Sequence, residues 1–220
     1  MKLYLPMVSE TINIRSDKIN VLVVEDEKKY YQLAIDILQQ ANKFDKGIVL
    51  SNSEKLKDFG KNVDVLTQFL PFDINRKTLI TKLYNKLNES VIDEFYADSC
   101  ELKTYIEKFL IDVTNTLSCD IEYDDVDPGQ LFKLSNVRFA SDPDSLCSMI
   151  LDYCSNVLSL EGEKLFVLVG VNQFIDESDY KLFVDTALHR KIECLIIENS
   201  YHRRSANDVI TTIDRDGCVI

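Results

Sequence analysis

The chain of 220 residues contains no tryptophan, only six glycines and only two histidines. Few glycines leave few places where the backbone can adopt a positive φ and close around a phosphate. Neither Gly-x-x-x-x-Gly-Lys-[Ser/Thr] nor Gly-x-Gly-x-x-Gly occurs. Gly170 follows an apolar segment, but it stands alone. The sequence therefore excludes the phosphate loops that nucleotide-binding α/β proteins use.

The scarcity of histidine argues against a serine or cysteine hydrolase. His189 lies in the run Leu188-His189-Arg190-Lys191, where a surface histidine at a helix end is expected. His202 lies in the basic run 201–204, and neither histidine accompanies a Gly-x-Ser-x-Gly elbow. A two-metal nuclease would need converging carboxylates, and no motif in the sequence indicates such a site.

Long apolar runs are also missing. The first ten residues hold only a short apolar run, which is not a signal peptide. No segment reaches the roughly 18 apolar residues of a membrane span. The six cysteines include no Cys-x-x-Cys pair, so they are interpreted as reduced, mostly buried side chains. We therefore expect a cytoplasmic protein with no membrane contact.

A response-regulator receiver domain is a further alternative that the sequence disfavours. The strand-like residues 21–24 are followed by Glu25-Asp26-Glu27, which resembles the acidic pocket of such domains. The phosphorylated aspartate should end a later strand, but Asp64 lies too early in its segment. The required Lys-Pro pair does not occur anywhere. A buried strand followed by a charged helix start explains the same residues.

What the chain does have is acidic charge, and that charge is concentrated. The net charge is −12, and residues 76–160 carry 8 basic and 15 acidic side chains. Five carboxylates fall within eight residues, at Asp120, Glu122, Asp124, Asp125 and Asp127. Oxygen ligands without histidine or cysteine select a hard cation such as calcium or magnesium. On spacing alone a solvated acidic loop is the simpler explanation, and the glycine and glutamate positions of an EF-hand are not met.

The first third of the chain alternates short β-rich segments with one helix. Apolar side chains in residues 28–41 recur at the i, i+3, i+4 and i+7 spacing of an amphipathic helix. The first two strands are interpreted as a meander that leads into a central strand. The predicted strands are Leu3–Leu5, Thr11–Arg15, Asn20–Glu25, Ile48–Leu50 and Val63–Leu66.

The middle of the chain is predicted to be helical. Asn75 is expected to cap a first long helix, and Asp98 or Ser99 to cap a second. Asp127 is expected to cap a short helix around residues 128–134. A strand at residues 137–140 is then expected to return the chain to the sheet. These two long helices predict a helical protrusion beside the sheet.

The last third repeats helices and strands. Residues 164–171 are apolar on both faces, as in a central parallel strand. Asp142-Pro143 and Asp176 are expected to start two helices. A strand at 192–198 and edge strands at 209–213 and 218–220 complete the pattern. The sequence predicts an α/β protein with a mostly parallel sheet, in a layout like that of P-loop proteins but without a phosphate loop.

Several of these stretches, in this order, resemble one known family. Phe72-Asp73-Ile74-Asn75 is similar to a Phe-Asp-Val-Asn helix start, and residues 120–125 are close to that family's acidic segment. Residues 20–25 with their helix, residues 164–198 and the tail 213–216 extend the likeness over nearly the whole chain. The chain resembles the Csn-type proteins of type II-A CRISPR–Cas systems, small ring-forming proteins needed to acquire new spacers.

The resemblance implies an α/β head, residues 1–74 and 136–220, and a helical leg, residues 75–135. It implies a homotetrameric ring with a positively charged hole that binds the ends of linear double-stranded DNA. Calcium near the junction of head and leg would stabilise the DNA-competent form, and no catalysis is expected. The implied partners are the CRISPR integrase pair and the RNA-guided effector nuclease.

The resemblance also shifts the interpretation of individual residues. Asp120, Glu122, Asp124 and Asp125 match the acidic segment position by position, which favours calcium over a solvated loop. Asp127 is a fifth candidate ligand, although it departs from the family pattern. Phosphate contacts require basic side chains. The candidates are Lys28, Lys29, Lys55, Lys57, Arg76, Lys77, Lys82, Lys86, Lys133 and Arg138.

Two other functions remain open at this point. One is a metal-dependent nuclease or phosphoesterase that uses the carboxylates of residues 120–127. The other is a scaffold that does not bind DNA and whose acidic legs bind a basic partner.

Overall fold

A computed structural model of the protein describes residues 1–52, 55–140, 145–201 and 205–220. The chain forms two compact units. The first, here called the α/β unit, contains residues 1–74 and 141–220. The second, the helical unit, contains residues 75–140. The predicted helix start at Asp142-Pro143 and the basic residues His202, Arg203 and Arg204 lie outside the described residues.

The strands of the α/β unit form two sheets. Within the described ranges they are β1 (Lys2–Leu5), β2 (Glu10–Asn13), β3 (Ile19–Val24), β4 (Val49–Asn52), β5 (Lys55–Lys57), β6 (Val63–Leu66), β7 (Leu165–Val169), β8 (Glu193–Glu198) and β9 (Asp208–Ile213). One sheet has the order β2-β1-β4-β5 and is antiparallel throughout. The other has the order β6-β7-β8-β3-β9 and is parallel throughout.

The helices connect these strands and build the helical unit. They are α1 (Glu27–Ala41), α2 (Phe59–Asn62), α3 (Lys77–Asp93), α4 (Tyr96–Thr114), α5 (Gln130–Leu134), α6 (Leu146–Glu161) and α7 (Glu177–His189). A single 3₁₀ turn, Val171–Phe174, follows β7. Because parallel strands need long crossover connections, the helices of the α/β unit lie between successive strands of the parallel sheet.

The parallel sheet is the centre of the core. Every residue of β3 and of β7 is buried, which requires both faces of the sheet to be covered. On one face, Leu22, Val167 and Leu195 form a cluster with Leu33 and Ile37 of α1. Leu3, Leu5 and Leu50 of the antiparallel sheet belong to the same cluster. Helix α1 and the small sheet therefore cover this face together.

The opposite face packs against the C-terminal half of the chain. Phe166 and Ile196 point to that face, since side chains alternate along a strand, and both are fully buried. Helix α7 contacts β8 and α6. Tyr180 and Phe183 of α7 are buried there, and their rings lie 6.4 Å apart between centroids. Burying a large aromatic side chain contributes roughly 1.5–3 kcal/mol.

In the helical unit, helix ends fall at positions that the sequence prediction missed. Helix α3 begins at Lys77, so Asn75 does not occupy its capping position. The Asn75 side chain instead binds the backbone of Phe139, donating to its carbonyl at 3.1 Å and accepting from its N–H at 2.9 Å. Helix α4 begins at Tyr96, which is earlier than the predicted caps Asp98 and Ser99.

The prediction of a strand at residues 137–140 is wrong, because these described residues form no ladder. The Asn75 amide satisfies the Phe139 backbone groups that a neighbouring strand would otherwise bind. The edge strand predicted at residues 218–220 is reduced to a single antiparallel bridge between Ile213 and Val219. The α/β class, with a parallel sheet and a helical part, is confirmed.

Candidate functional site

The acidic segment, residues 120–127, follows α4 without forming a helix or strand. The side chains of Asp120, Glu122 and Asp124 are exposed to solvent. Exposure lowers the cost of placing like charges close together, because water screens their repulsion.

One carboxylate of this segment is held by a lysine of the helical unit. The Nζ atom of Lys103 in α4 lies 2.6 Å from Oδ1 of Asp125 and 3.7 Å from Oε1 of Glu107. The hydrogen bond from Lys103 lowers the pKa of Asp125 below its usual range. The same bond raises the pKa of Lys103. The Lys103 side chain is partly buried and that of Asp125 is exposed, so the pair is a weak tether between α4 and the acidic segment.

Asp127 has a local role that its spacing partly predicted. Its Oδ1 atom accepts the backbone N–H of Gly129 at 2.9 Å, and its carbonyl accepts the N–H of Gln130 at 3.0 Å. Helix α5 begins at Gln130 with Gly129 at the capping position, so Asp127 shapes the preceding turn and is not the cap. A Cβ atom on Gly129 would overlap with Oδ1 of Asn88 in α3. Glycine therefore permits α5 and α3 to approach closely.

The five predicted metal ligands do not form a metal site as they are placed. Calcium takes six to eight oxygen ligands in proteins. Across the described part of the chain, no group of three or more His, Cys, Asp or Glu side chains could hold a metal ion. Asp125 is bound to Lys103 and Asp127 to the Gly129 backbone. Binding of calcium by this segment would require its carboxylates to be rearranged.

The predicted DNA-binding residues of the α/β unit lie on two elements. Lys28 and Lys29 are in the first turn of α1, and the Nζ atom of Lys29 donates to the carbonyl oxygen of Arg215 at 2.9 Å. Lys55 and Lys57 are exposed on β5, an edge strand of the antiparallel sheet. Lysines on an edge strand also discourage pairing with other chains.

The predicted DNA-binding residues of the helical unit are concentrated on α3. Lys82 and Lys86 are exposed one helical turn apart, which forms the basic stripe that their spacing predicts. Lys86 also lies 3.0 Å from Glu89. The remaining candidates are Arg76 before α3, Lys77 at its start, Lys133 in α5 and Arg138 in the following loop.

Helix α4 has an unusual surface. None of its residues is buried, although it carries many large apolar side chains. Tyr105 is 71% exposed and Phe109 is 65% exposed. Exposed apolar patches of this kind mark interaction sites in soluble proteins. An apolar groove of about 350 Å³ lies beside it in the same unit, lined by residues that include Leu87, Leu102 and Phe132.

The carboxyl edge of the parallel sheet carries carboxylates where α/β enzymes bind phosphates. Asp26, just after β3, accepts the N–H of Lys29 at 2.9 Å and so caps α1. Glu198, at the end of β8, accepts the N–H of Asn172 at 2.9 Å. Asp214, just after β9, accepts the N–H of Gly217 at 2.8 Å. These three backbone donors are therefore already bound to anionic oxygens.

A buried polar cluster on the α/β unit was not predicted from the sequence. The hydroxyl of Tyr180 donates to Oδ1 of Asp208 at 2.9 Å, and the hydroxyl of Tyr201 donates to Oδ2 at 2.7 Å. The N–H of Ser205 donates to the same Oδ2 at 2.8 Å. Burial raises the pKa of Tyr180, so its hydroxyl stays protonated. The cluster fixes the chain on both sides of residues 202–204.

These features define an α/β protein with a helical unit, with no phosphate-loop motif in its sequence and no preformed metal site among its described residues. No helix in the described ranges combines the length and apolar character of a membrane span. Residues 39–216 match the model of the family described as "CRISPR-associated protein (Cas_Csn2)". The chain belongs to this family of CRISPR-associated proteins.

A solved structure shows the same fold. The crystal structure of Stu0660 of Streptococcus thermophilus matches with a TM-score of 0.63 and 14% sequence identity. The match covers 97% of this chain and 74% of that chain. At this identity the likeness concerns the fold alone. No curated protein matches the sequence at a significant level.

Proposed function

We propose that the protein is a non-enzymatic DNA-end-binding protein that supports acquisition of new spacers in CRISPR immunity. The observation that carries the proposal is the family match over residues 39–216. In the proposed function, a homotetrameric ring encloses the end of a linear duplex. It acts in the cytoplasm with the CRISPR integrase pair and the RNA-guided effector nuclease.

The distribution of basic residues is compatible with contacts to phosphates and not to bases. Lys82 and Lys86 present two ammonium groups on one exposed helix face. Lys28, Lys55 and Lys57 are exposed on the α/β unit. Contacts of this kind position a duplex without reading its sequence, and their affinity falls steeply with added salt.

The surface of α4 supports assembly into an oligomer. Its apolar side chains find no buried environment within the described residues of one chain. A second copy that covers Tyr105 and Phe109 would remove this apolar area from water. Each square ångström of apolar surface removed from water contributes about 25 cal/mol to the hydrophobic part of the association free energy.

Calcium binding by the acidic segment is part of the proposal, and it requires the carboxylate side chains of that segment to move. The proposed ligands are Asp120, Glu122, Asp124 and Asp125, with Asp127 as a fifth candidate. These side chains carry the chemistry that calcium prefers, but no three of them form a metal-binding group among the described residues. Direct titration with calcium, in the presence and absence of DNA, tests whether the segment binds the ion.

The test of the proposal is a gel-shift assay with linear and covalently closed circular duplex, each with calcium or with chelator. A shift of linear DNA alone, without cleavage products, supports an end-threaded ring. Cleavage products would instead favour the nuclease alternative, and the absence of a shift under all conditions would favour the scaffold. Lys82→Ala/Lys86→Ala should weaken the shift, whereas the charge-matched Lys46→Ala/Lys181→Ala should not.

A further inference from the structure

The α/β unit contains a second feature, at the amino edge of the parallel sheet. A cavity of about 310 Å³ opens where β3, β6, β7 and β8 begin. Its volume lies at the lower end of the roughly 300–1,000 Å³ typical of small-molecule sites. This edge is opposite to the one where open α/β sheets ordinarily bind ligands. Here that ordinary edge is occupied by Asp26, Glu198 and Asp214.

Glu193 gives this cavity a polar group without a partner. It is the first residue of β8, and its Oε2 atom is shielded from solvent. Within the described ranges, this atom has no hydrogen-bond partner. Burial raises the pKa of Glu193, and the nearby Glu163 raises it further, against the opposing effect of the N-terminal ammonium. A shielded acceptor without a donor is costly, and either a water molecule or an N–H group of a ligand can satisfy it.

Lys191 gives the cavity a positively charged group on strained backbone. It follows α7 with φ at +56°, in the left-handed region. Glycine is the usual residue at this position after a helix, because a side chain there costs roughly 1–2 kcal/mol. Strained residues cluster at functional sites, and among the described residues Lys191 shares a positive φ with Ser9, Lys43 and Asn136. The cavity wall includes this lysine side chain.

The other charged residues of the wall are balanced in sign. Lys57 and Lys164 line the cavity, and so do Asp17 and Glu163. Lys164 is only 7% exposed, and its Nζ atom lies 2.8 Å from Oε2 of Glu161, so its charge is already paired. Asp17 is bound to Arg15 at 2.8 Å.

This combination restricts the chemistry of a ligand. The lysines disfavour a metal cation, and the shielded oxygen of Glu193 disfavours a ligand that is only an anion. A molecule that carries both an N–H donor and an anionic group satisfies both requirements. The cavity volume corresponds to a molecule about as large as a mononucleotide.

We propose that this cavity binds a nucleoside monophosphate whose base carries an amino group. The amino group donates a hydrogen bond to Oε2 of Glu193, and the phosphate interacts with the ammonium groups of Lys57 and Lys191. Binding involves no covalent step. The site is separate from the DNA-binding surface proposed above, apart from Lys57, and its test uses no DNA.

The experiment is calorimetric titration of the full-length protein with AMP and CMP. Ribose 5-phosphate and adenosine serve as probes that carry only the anion or only the amino base. We expect both nucleotides to bind at least about tenfold more tightly than ribose 5-phosphate or adenosine. Equal binding of AMP and ribose 5-phosphate, or no binding of either nucleotide, would overturn the proposal.

Two variants make the test specific. Glu193→Gln removes the charge of the acceptor. It should weaken the binding of AMP at least about tenfold, while the binding of ribose 5-phosphate stays the same. Lys191→Gly removes the ammonium group and relieves the backbone strain. It should weaken both AMP and ribose 5-phosphate, while the thermal unfolding midpoint is unchanged or rises.

A matched control is Lys181→Met, which removes one exposed lysine from α7 away from the cavity. It should leave AMP binding unchanged. Loss of AMP binding by Lys181→Met would show that binding follows the net charge of the protein. Full AMP binding by both Glu193→Gln and Lys191→Gly would show that the nucleotide binds at another surface. Either result would show that the proposed site is wrong.

Discussion

The ammonium group of Lys103 lies 2.6 Å from Oδ1 of Asp125, so a cation already sits at one end of the acidic segment. If Asp125 is a calcium ligand, an incoming ion must displace this lysine. Lys103→Gln should therefore bind calcium more tightly than the unmodified chain, as measured by calorimetric titration.

Lys108→Gln provides the control for that measurement, because it removes the same charge from another exposed position of α4. If both variants change the calcium affinity equally, the change comes from the net charge of α4 and not from the contact between Lys103 and Asp125. An unchanged affinity in Lys103→Gln would remove Asp125 from the set of ligands.

The buried hydroxyl of Tyr180 should stabilise the α/β unit through Asp208. Tyr180→Phe removes a donor from a carboxylate that is 3% exposed. The expected loss is about 1–3 kcal/mol of unfolding free energy, measured by urea titration. Tyr105→Phe alters a tyrosine that is 71% exposed and should change the unfolding free energy by less than about 0.5 kcal/mol. A loss of similar size in both variants would contradict this explanation.

Glu193 should make folding depend on pH in a defined direction. Its pKa is raised in the folded state, so protonation favours the native protein. This stabilisation is present in full below the unfolded-state pKa of about 4.3 and is lost as the pH rises through the folded-state pKa. The unfolding free energy of Glu193→Gln, compared with that of the unmodified chain at the same pH, should therefore be higher at pH 7.5 than at pH 4. Urea unfolding at both pH values measures the difference, and a constant difference would refute the prediction.

The cysteines should divide into two groups by reactivity. The expectation of buried cysteines holds for Cys147, Cys154 and Cys194 and is wrong for Cys100, Cys119 and Cys218, which are exposed. Burial also raises the pKa of Cys194 to about 12, so its thiolate is scarce at neutral pH. Titration of the native protein with a chromogenic disulfide should modify three thiols rapidly, and the other three only after denaturation. Rapid modification of more than three would show that the α6 or β8 core opens easily.

The exposed apolar face of α4 should control assembly. Phe109→Asp places a charge on a side chain that is 65% exposed, so the fold of one chain should be retained while association is weakened. Sedimentation velocity should show a shift toward smaller species. Lys108→Asp, at the neighbouring exposed position, serves as the control and should leave the distribution unchanged. Identical distributions for all three proteins would place the interface elsewhere.

Much of the fold could be predicted because hydrophobic periodicity determines it directly. Residues 164–171 are apolar on both faces, and β7 is buried in the centre of the parallel sheet. The apolar spacing in residues 28–41 predicts an amphipathic helix, and α1 buries Leu33 and Ile37. These patterns report burial, which is a local property of each segment.

The features that were missed depend on contacts between distant residues. Asn75 is a good capping residue by type, but its side chain binds Phe139, 64 positions later. The Tyr180–Asp208 pair and the unpartnered oxygen of Glu193 become visible only when the strands are assembled. The acidic segment was found from its composition, yet spacing could not show that Lys103 binds Asp125. The predicted DNA contacts and calcium ligands stay predictions.

The two-residue turn Glu25-Asp26 between β3 and α1 limits how this junction can be engineered. Asp26 caps α1, and exchanging such a cap for alanine typically costs about 0.5–2 kcal/mol. A phosphate loop needs glycines between a strand and the following helix, and inserting them here would displace Asp26 from the cap. A variant of this chain built to bind a nucleotide at this edge would therefore lose helix stability before it gained a binding site.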